Sequence, residues 1–435
     1  MSIFKRFKES EIEILYLPQV SSFKGEVEII GSKSIANRVI YLASFCSEET
    51  ILQNVPNSED VQVLLSILPD LGIECVKENE KTYKIKGKSK FDLKNHYFNL
   101  ENAGTALRPL VAILSTQNFH QDIIIDGNEQ MRNRPIRDLV EALKQIGVDI
   151  ETSYKGTPPV KIKSGRWKKN RISISGKTSS QFISALLLAA PLTEQEIEIF
   201  VVDEVVSKPY IDMTIHLMKE FSVNVINENY KYFKIYPQQY QSPKKFWIEG
   251  DATAATYFYT AGLISGPVKI KGLNSNSIQG DIHYLDIIKQ LGGIIEYDSQ
   301  SITVKKGNTI KGISIDMNAM PDAAMTLAIT GLFSTSSIEI FNVENLRVKE
   351  SERIRGLCNE LRKFGAIVEE RKDGLKVYPP EKLKEKPRIE TYRDHRMAMA
   401  FSLGCYLTEM EIIDPDCVKK TYPDYFLDFF KICRI

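Results

Sequence analysis

The chain has 435 residues, and its 57 Lys plus Arg nearly balance 56 Asp plus Glu, giving a net charge of +1. This balance excludes a broad nucleic-acid-binding surface but permits a local cationic pocket. No stretch approaches the roughly 20 apolar residues of a membrane span. The first ten residues include no apolar run of the kind found in secretory signals, so we expect a cytoplasmic protein. With 43% hydrophobic and 26% charged residues, the chain is typical of a globular protein, and its length suits two domains of about 200 residues.

A short polar segment opens directly into an almost wholly apolar helix at six places. The six starts lie 71 to 76 residues apart and are marked by Lys33, Gly104, Ser180, Asp251, Asp322 and His395. A fixed period of this length indicates one supersecondary unit used repeatedly. Helices without a polar stripe must be buried all round. Their first N–H groups carry a partial positive charge, so the starts are candidate seats for phosphate or carboxylate.

A second series of amphipathic helices alternates with the apolar ones. These helices end 70 to 75 residues apart, at Gly72, Gly147, Ser222, Gly292 and Gly365. Glycine suits the left-handed position just after a helix. Alternating segments such as 161–163 and 374–378 follow and predict strand hairpins.

A sixth amphipathic helix, 424–432, ends the chain with no hairpin behind it. Residues 11–30 alternate like strands and have no helix of their own, so we expect them to complete the sixth unit. The prediction is a discontinuous domain of residues 1–30 plus 250–435 and an inserted domain of residues 31–249. Each would hold three repeats, with a hinge near residues 30 and 249 and a ligand-binding cleft between the domains.

The cysteines and histidines do not indicate a metal site. The six cysteines are scattered, most of them among apolar neighbours, which is typical of small buried side chains in a reducing compartment. The five histidines show no zinc-ligand spacing.

Cations and acids gather at the helix starts and the segments beside them. The cations are Lys33, Arg38, Arg134, Lys349, Arg353, Arg396 and Lys420, and the acids are Asp322 and Glu350. The segment 31–38 resembles a phosphate loop but lacks the Walker A glycine spacing. So many cations near one cleft would repel one another unless the ligands brought several negative charges. Acids among them should stay ionised and able to accept a proton.

Each motif also has a plain structural interpretation. The segment 31–38 could be an ordinary helix cap with surface cations, and Thr178–Gln181 could likewise be a cap. Segment 345–353 could be a solvated helix face, with Lys349 and Arg353 one turn apart. Asp322 could simply cap a helix, and an exposed Lys420 would be the default.

Eleven motifs in order resemble the 5-enolpyruvylshikimate-3-phosphate synthase (3-phosphoshikimate 1-carboxyvinyltransferase) family over essentially the whole chain. In the first half they are GSKSIANR (31–38), NAGTALRPL (102–110), MRNRPI (131–136), SSQFISALLLAAPL (179–192) and SKPYIDMT (207–214). In the second half they are EGDATAATYF (249–258), QGDI (279–282), PDAAMT (321–326), NLRVKESERI (345–354), DHRMAMAFSL (394–403) and KTYPDYF (420–426).

The resemblance implies an α/β fold, the two-domain inside-out α/β barrel of enolpyruvyl transferases, with six βαβαββ repeats, three per domain. It implies transfer of the enolpyruvyl group of phosphoenolpyruvate to the 5-hydroxyl of 3-phosphoshikimate, with release of phosphate through a tetrahedral ketal. It also implies a monomer that uses no metal or organic cofactor and takes small-molecule substrates rather than nucleic acid or membrane.

The resemblance also implies roles for individual residues. Asp322 would accept the hydroxyl proton, and Glu350 would protonate the methylene carbon, with Lys33 as a third catalytic residue. Phosphoenolpyruvate would contact Lys33, Gly104, Arg134, Gln181, Arg353, Arg396 and Lys420. The 3-phosphoshikimate would contact Lys33, Ser34, Arg38, Ser179, Ser180, Gln181, Ser207, Asp322, Asn345 and Lys349.

Some positions depart from the commonest family pattern. These are Ile30, Glu101, Gln130 and Leu346, none of them a ligand in the residue assignment above. Gly104 is retained, and in this family a glycine there goes with sensitivity to glyphosate. Two alternatives are a UDP-N-acetylglucosamine enolpyruvyl transferase and a non-catalytic anion-binding relative. The first relies on a loop cysteine that residues 127–133 lack, and the second should have lost Asp322, Glu350 or Lys33.

Overall fold

The computed structural model describes residues 4–88 and 90–435, and over these the chain forms twelve α-helices. They are, in chain order, α1 (Lys33–Ser44), α2 (Glu59–Ile67), α3 (Gly104–Leu114), α4 (Arg137–Gln145), α5 (Ser180–Ala189), α6 (Lys208–Glu220), α7 (Ala252–Ser265), α8 (Tyr284–Gln290), α9 (Ala324–Thr330), α10 (Arg353–Lys363), α11 (His395–Phe401) and α12 (Tyr425–Ile432).

The strands are short, as expected for segments between closely spaced helices. They are β1 (Lys5–Glu9), β2 (Ile12–Leu17), β3 (Ser22–Phe23), β4 (Gly25–Glu28), β5 (Thr50–Gln53), β6 (Glu74–Asn79), β7 (Thr82–Lys86), β8 (Tyr97–Asn99), β9 (Ile123–Asp126), β10 (Asp149–Thr152), β11 (Val160–Ser164), β12 (Arg171–Ile174), β13 (Ile197–Val201), β14 (Ile226–Glu228), β15 (Tyr232–Ile235), β16 (Lys245–Trp247), β17 (Val268–Lys271), β18 (Ile294–Asp298), β19 (Ser301–Lys305), β20 (Ile313–Asp316), β21 (Ile338–Phe341), β22 (Ile367–Arg371), β23 (Gly374–Tyr378), β24 (Arg388–Ile389), β25 (Met410–Ile413) and β26 (Cys433–Arg434).

The chain divides into two compact units. The inserted unit is Gly31–Glu249, and the discontinuous unit is the chain up to Ile30 together with Gly250–Ile435. The backbone N–H of Ser32 donates to the carbonyl of Glu249 within the inserted unit. That of Asp251 donates to the carbonyl of Ile30 within the discontinuous unit. Each unit thus joins its own two ends by a backbone hydrogen bond.

The odd-numbered helices are the buried ones, as the sequence predicts. Nearly every residue of α1, α3, α5, α7, α9 and α11 is buried, including polar ones. Hydroxyl groups link neighbouring helices inside these layers. The Tyr41 hydroxyl donates to the carbonyl of Ala106, which links α1 to α3. The Thr256 and Thr326 hydroxyls lie 2.9 Å apart and link α7 to α9.

Six four-stranded sheets surround these helices, three in each unit, in the part of the chain that the structure describes. Their orders are β16-β5-β7-β6, β10-β11-β9-β8, β12-β13-β15-β14, β18-β19-β17-β4, β20-β21-β23-β22 and β1-β2-β25-β24. In each sheet a central strand pairs in parallel with one edge strand and antiparallel with a hairpin. A further ladder joins β26 to β3.

The prediction for residues 11–30 is right in one part and wrong in another. The hairpin β1–β2 completes the sixth sheet, with Ile14 opposite Ile413. However, β4 joins another sheet, where Val27 lies opposite Ile270 of β17. The hairpin also begins at Lys5, ahead of the predicted segment. The prediction missed β1 because this edge strand is exposed along its whole length. Such a strand has no apolar face and therefore leaves no alternation in the sequence.

The predicted stops after the amphipathic helices are confirmed by the backbone. Gly72, Gly147, Gly292 and Gly365 all have positive φ, and so does Ser222 at the one stop without glycine. An L-residue in this region is strained by about 1–2 kcal/mol because its Cβ approaches the backbone carbonyl. A Cβ added to Gly292 would lie 2.6 Å from the carbonyl oxygen of Thr309.

We therefore expect Gly292→Ala to lower the free energy of unfolding by about 1–2 kcal/mol. Ser222→Gly should be neutral or stabilising, because it relieves the left-handed strain that Ser222 bears. The urea midpoint of each variant measures the effect. Equal destabilisation by both changes would contradict the role of φ at these stops.

Candidate active site

Lys33, the first residue of α1, forms a buried ion pair in the inserted unit. The side chain of Ser32 caps the helix by accepting from the N–H of Ile35. The Lys33 Nζ lies 2.9 Å from Oδ2 of Asp60, which belongs to the first turn of α2, and both side chains are buried. The alternative interpretation of segment 31–38 as a cap with surface cations is therefore wrong for Lys33.

Arg38 lies one turn further along α1 and is held by α6. Its Nε donates to Oγ1 of Thr214 at 2.8 Å, and its Nη2 donates to the carbonyl of Tyr210. Its Nη1 donates to the carbonyl of Ser34 on its own helix. Burial lowers the pKa of Arg38 to about 10, and the guanidinium remains charged at neutral pH. This fixed cation is suited to an anionic ligand group.

The start of α3 has room for two guanidinium groups only because residue 104 is glycine. A Cβ on Gly104 would lie 2.2 Å from Nη1 of Arg108 and 3.0 Å from both Nη atoms of Arg134. Arg134 Nη1 also donates to the side-chain oxygen of Asn102 at 3.1 Å. Two guanidinium groups beside a helix N-terminus repel each other and the helix dipole, so the arrangement favours an anion.

The start of α5 offers polar groups for a ligand. Ser179 caps this helix by accepting from the N–H of Gln181, and Ser180 is buried. The side-chain carbonyl oxygen Oε1 of Gln181 is buried and has no hydrogen-bond partner among the described residues. Ser207 is buried and has φ of +57° at the start of α6, where its hydroxyl does not cap the helix. A buried acceptor without a partner costs about 1–3 kcal/mol, and a ligand donor would remove this cost.

In the discontinuous unit, Arg353 lies between three carboxylates. Its Nε and Nη2 donate to the two oxygens of Asp394 at 2.8 and 3.2 Å. Nη2 also donates to Glu350, and Nη1 donates to Oδ1 of Asp322, both at 2.8 Å. The Arg353 side chain is only 1% exposed. The predicted alternative of a solvated helix face is therefore wrong for this residue.

The helical position assigned to Lys349 is also wrong. Residues Glu344–Val348 form a 3-10 helix, and α10 begins only at Arg353, so the two cations do not share one helix face. Asn345 is buried in the 3-10 helix, and Lys349 is half-buried directly after it. The alternating charges of this segment suggest one continuous helix. In the structure, Arg347 contacts Glu370 of β22 and Arg353 contacts Asp394, so both arginines are held by carboxylates of other segments.

Asp322 bridges two arginines rather than capping a helix. Its Oδ2 lies 2.8 Å from Nη2 of Arg396, opposite the Oδ1 contact with Arg353. The N-cap of α9 is Ala323, and no side chain caps it, so the capping interpretation of Asp322 is wrong. Burial alone would raise the pKa of Asp322, but Arg396, Lys349 and Arg353 outweigh burial and hold its pKa well below the usual value. Asp322 is therefore ionised at neutral pH, as predicted.

The remaining predicted cations are buried as well. Asp394 caps α11 by accepting from the N–H of Arg396, which places this guanidinium at the helix start. Two carboxylates, Asp394 and Asp322, thus supply the negative charge that a cation at a helix N-terminus requires. Lys420 is buried at the end of the 3-10 helix Pro415–Lys420, so its predicted default exposure is wrong.

Comparisons with known proteins identify the family of the chain. A model of the EPSP synthase (3-phosphoshikimate 1-carboxyvinyltransferase) family matches residues 17–429. The chain is 43% identical over 431 residues to the 3-phosphoshikimate 1-carboxyvinyltransferase of Buchnera aphidicola subsp. Schizaphis graminum (strain Sg), covering 97% of this chain and 99% of the relative. The chain belongs to the EPSP synthase family. It is also 43% identical over 427 residues to the Pasteurella multocida (strain Pm70) protein of that name, covering 96% and 97%.

Solved structures confirm the expected fold. An EPSP synthase from Acinetobacter baumannii aligns with a TM-score of 0.80 at 23% identity, over 97% of this chain and 98% of that one. The enolpyruvyl transferase NikO from Streptomyces tendae aligns with a TM-score of 0.76 at 16% identity, over 96% and 97%. The fold is therefore that of the two-domain enolpyruvyl transferases.

The sequence-based prediction of site residues in this EPSP synthase family member missed three acids that contact or lie near the predicted cations. Asp60 looks like an ordinary acid in a first helical turn, and Asp394 looks like a plain cap. Asp281 in the 279–282 motif is buried, and burial together with Asp322 raises its pKa to about 6 although Arg396 lowers it. The sequence feature that could have revealed each of them is an acid inside a family motif or at a helix start. Its cationic neighbours become visible only in the packed structure.

Across residues 4–88 and 90–435, no group of three or more His, Cys, Asp or Glu side chains could hold a metal ion. None of the helices in the described ranges is long and apolar enough to cross a membrane.

We expect Asp60→Ala to lower the free energy of unfolding by about 3–5 kcal/mol, because it removes the carboxylate from a buried ion pair with Lys33. Glu80→Ala breaks an exposed pair with Lys77 and should change stability by less than about 1 kcal/mol. Urea unfolding of both variants measures the difference. Similar small effects would show that the buried pair contributes no more than a surface pair.

Proposed function

We propose that the chain transfers the enolpyruvyl group of phosphoenolpyruvate to the 5-hydroxyl of 3-phosphoshikimate and releases phosphate. The observation that carries the proposal is the cluster of Arg353, Arg396 and Asp322, which joins two guanidinium forks to a carboxylate inside motifs of the EPSP synthase family. Paired forks suit a substrate carboxylate, and the ionised Asp322 beside them is a candidate proton acceptor. The family match favours this reaction over transfer to UDP-N-acetylglucosamine.

Both substrates carry a carboxylate and a phosphate, which explains why each unit holds several buried cations. We assign the carboxylate of phosphoenolpyruvate to Arg353 and Arg396, and its phosphate to Lys33, Arg134 and Lys420. We also assign Gly104 and Gln181 to phosphoenolpyruvate, because Gly104 leaves space beside Arg134 and the Gln181 amide can form a hydrogen bond with the substrate.

The 3-phosphoshikimate would be held mainly by hydroxyl groups and by a second set of cations. We assign its carboxylate to Ser34 and Arg38, and its phosphate to the serine hydroxyls at the starts of α5 and α6. The assigned contacts are Lys33, Ser34, Arg38, Ser179, Ser180, Gln181, Ser207, Asp322, Asn345 and Lys349.

The proposed chemistry is an addition followed by an elimination. Before the first step, Glu350 takes up a proton from water. The 5-hydroxyl oxygen then bonds to C2 of phosphoenolpyruvate while Asp322 takes the hydroxyl proton and Glu350 gives its proton to the methylene C3. The tetrahedral ketal then loses a proton from its methyl group back to Glu350. The C2–O bond to phosphate breaks, and the departing phosphate takes the proton held by Asp322. Lys33 and the other cations stabilise the charge on the leaving group.

The reaction needs no redox partner, because only protons and electron pairs are exchanged among the substrates, the side chains and water. We accordingly propose an enzyme without a metal or organic cofactor. The family resemblance further suggests a monomer.

We expect the purified protein to release phosphate from phosphoenolpyruvate when 3-phosphoshikimate is added, and not when UDP-N-acetylglucosamine is added. Asp322→Ala should lower kcat by about 100-fold or more, because proton acceptance contributes roughly this much. A coupled phosphate assay measures both rates. No release by the wild type with 3-phosphoshikimate would overturn the proposed function.

We expect Gly104→Ala to raise the KM for phosphoenolpyruvate by about tenfold, because the added methyl would displace the guanidinium of Arg108 or Arg134. The KM for 3-phosphoshikimate should change by less than about threefold. Glyphosate should inhibit the wild type, and steady-state kinetics with and without it measure all three quantities. Thr105→Ser, at the neighbouring residue, serves as the control. An unchanged KM in Gly104→Ala would show that these guanidiniums do not meet phosphoenolpyruvate.

A further inference from the structure

Asp322 occupies the N–H groups that the proposed function gives to a substrate carboxylate. Its Oδ1 accepts from Nη1 of Arg353, and its Oδ2 lies 2.8 Å from Nη2 of Arg396. One carboxylate thus spans both guanidinium groups. A second carboxylate arriving at the same two arginines meets an occupied position.

Most of the other N–H groups of Arg353 are already bound. Its Nε and Nη2 are bound to Asp394 and Glu350, whose side chains are 0% and 8% exposed. The Arg353 side chain itself is 1% exposed, whereas that of Asp322 is 19% exposed. Asp322 is therefore the most exposed of the three carboxylates around Arg353, and the edge of Arg353 that it covers is the one nearest to solvent.

The charge balance of the cluster also disfavours a second carboxylate beside Arg353 and Arg396. Arg353, Arg396 and Lys349 are balanced by Asp322, Glu350 and Asp394, with Asp281 also near Asp322 and Arg396. A substrate carboxylate added to this balanced group would bring an excess negative charge into a buried place, which is costly. If Asp322 leaves the two arginines as the substrate carboxylate arrives, the positive and negative charges beside them stay balanced.

We propose that Asp322 stands in for the carboxylate of phosphoenolpyruvate and that the substrate displaces it from Arg353 and Arg396. This inference rests on the proposed function, which makes Asp322 the base. Before displacement, Asp322 is bound at both oxygens and is a poor proton acceptor. After displacement, it lies beside the substrate without its two guanidinium partners and can take the proton of the hydroxyl.

The exchange makes the enzyme selective for donors that carry a carboxylate. A phosphate ester without a carboxylate could bind the phosphate-holding cations but would leave Asp322 on its arginines. The pKa of Asp322, held low by the cations, would rise towards its usual value on release. Binding of the donor and activation of the base are thereby coupled, because both break the ion pairs of Asp322 with Arg353 and Arg396.

The test is the affinity of the full chain for phosphoenolpyruvate and for inorganic phosphate, measured by titration calorimetry without 3-phosphoshikimate. We expect Asp322→Asn to bind phosphoenolpyruvate about tenfold more tightly than the wild type, because no carboxylate has to be displaced. Its affinity for inorganic phosphate should stay within about twofold. Asp322→Ala should show the same pattern, which excludes an effect of the new amide.

Glu339→Gln is the matched control, because it removes one carboxylate from an ion pair with Arg371 in the same unit. It should leave both affinities unchanged. Thermal unfolding of every variant verifies that the protein is folded. Unchanged or weaker phosphoenolpyruvate binding in both Asp322 variants would overturn the proposal, and so would an equal gain for both ligands, which a general charge effect would give.

The outcomes for the two proposals are separable. If the wild type turns over both substrates but the Asp322 variants gain no affinity, the displacement inference fails and the proposed function stands. If the variants gain affinity for phosphoenolpyruvate alone but the wild type has no turnover, the reaction is wrong and the displacement of a carboxylate stands.

Discussion

The contact on which the rest of this site depends is the one between Arg353 and three carboxylates. A guanidinium that is almost fully buried is stable only when its N–H groups are bound and its charge is balanced. Asp394, Glu350 and Asp322 meet this need, and they come from three separate segments of the chain. The start of α10, the cap of α11 and the segment before α9 are thereby fixed relative to one another.

The same physical constraint recurs at the other apolar helices. A buried helix start leaves N–H groups that water cannot reach, so capping side chains and charged groups gather there. Ser32, Ser179, Asp251 and Asp394 cap four of the six starts. The fold therefore produces polar positions as a consequence of its buried helices, and the proposed site uses some of them. The start at Asp251 has no assigned ligand.

Much of the architecture follows from local patterns in the sequence. The repeat, the buried helices and the left-handed stops depend on residues within one turn or one strand, and the structure confirms them. Strand β1 and the sheet of β4 were not predictable in this way. An exposed edge strand has no apolar face, and β4 pairs with β17, which lies some 240 residues away in the chain.

The sequence by itself determined the family, the six-fold repeat and the identity of the charged residues, because motif order and periodicity are properties of the chain. Only the tertiary structure decided which of these charges meet. Asp60 pairs with Lys33, and Asp322 pairs with two arginines, because separate segments of the chain pack together. An isolated acid at a helix start looks like a cap in every case, and the cations that burial places around it decide its chemistry.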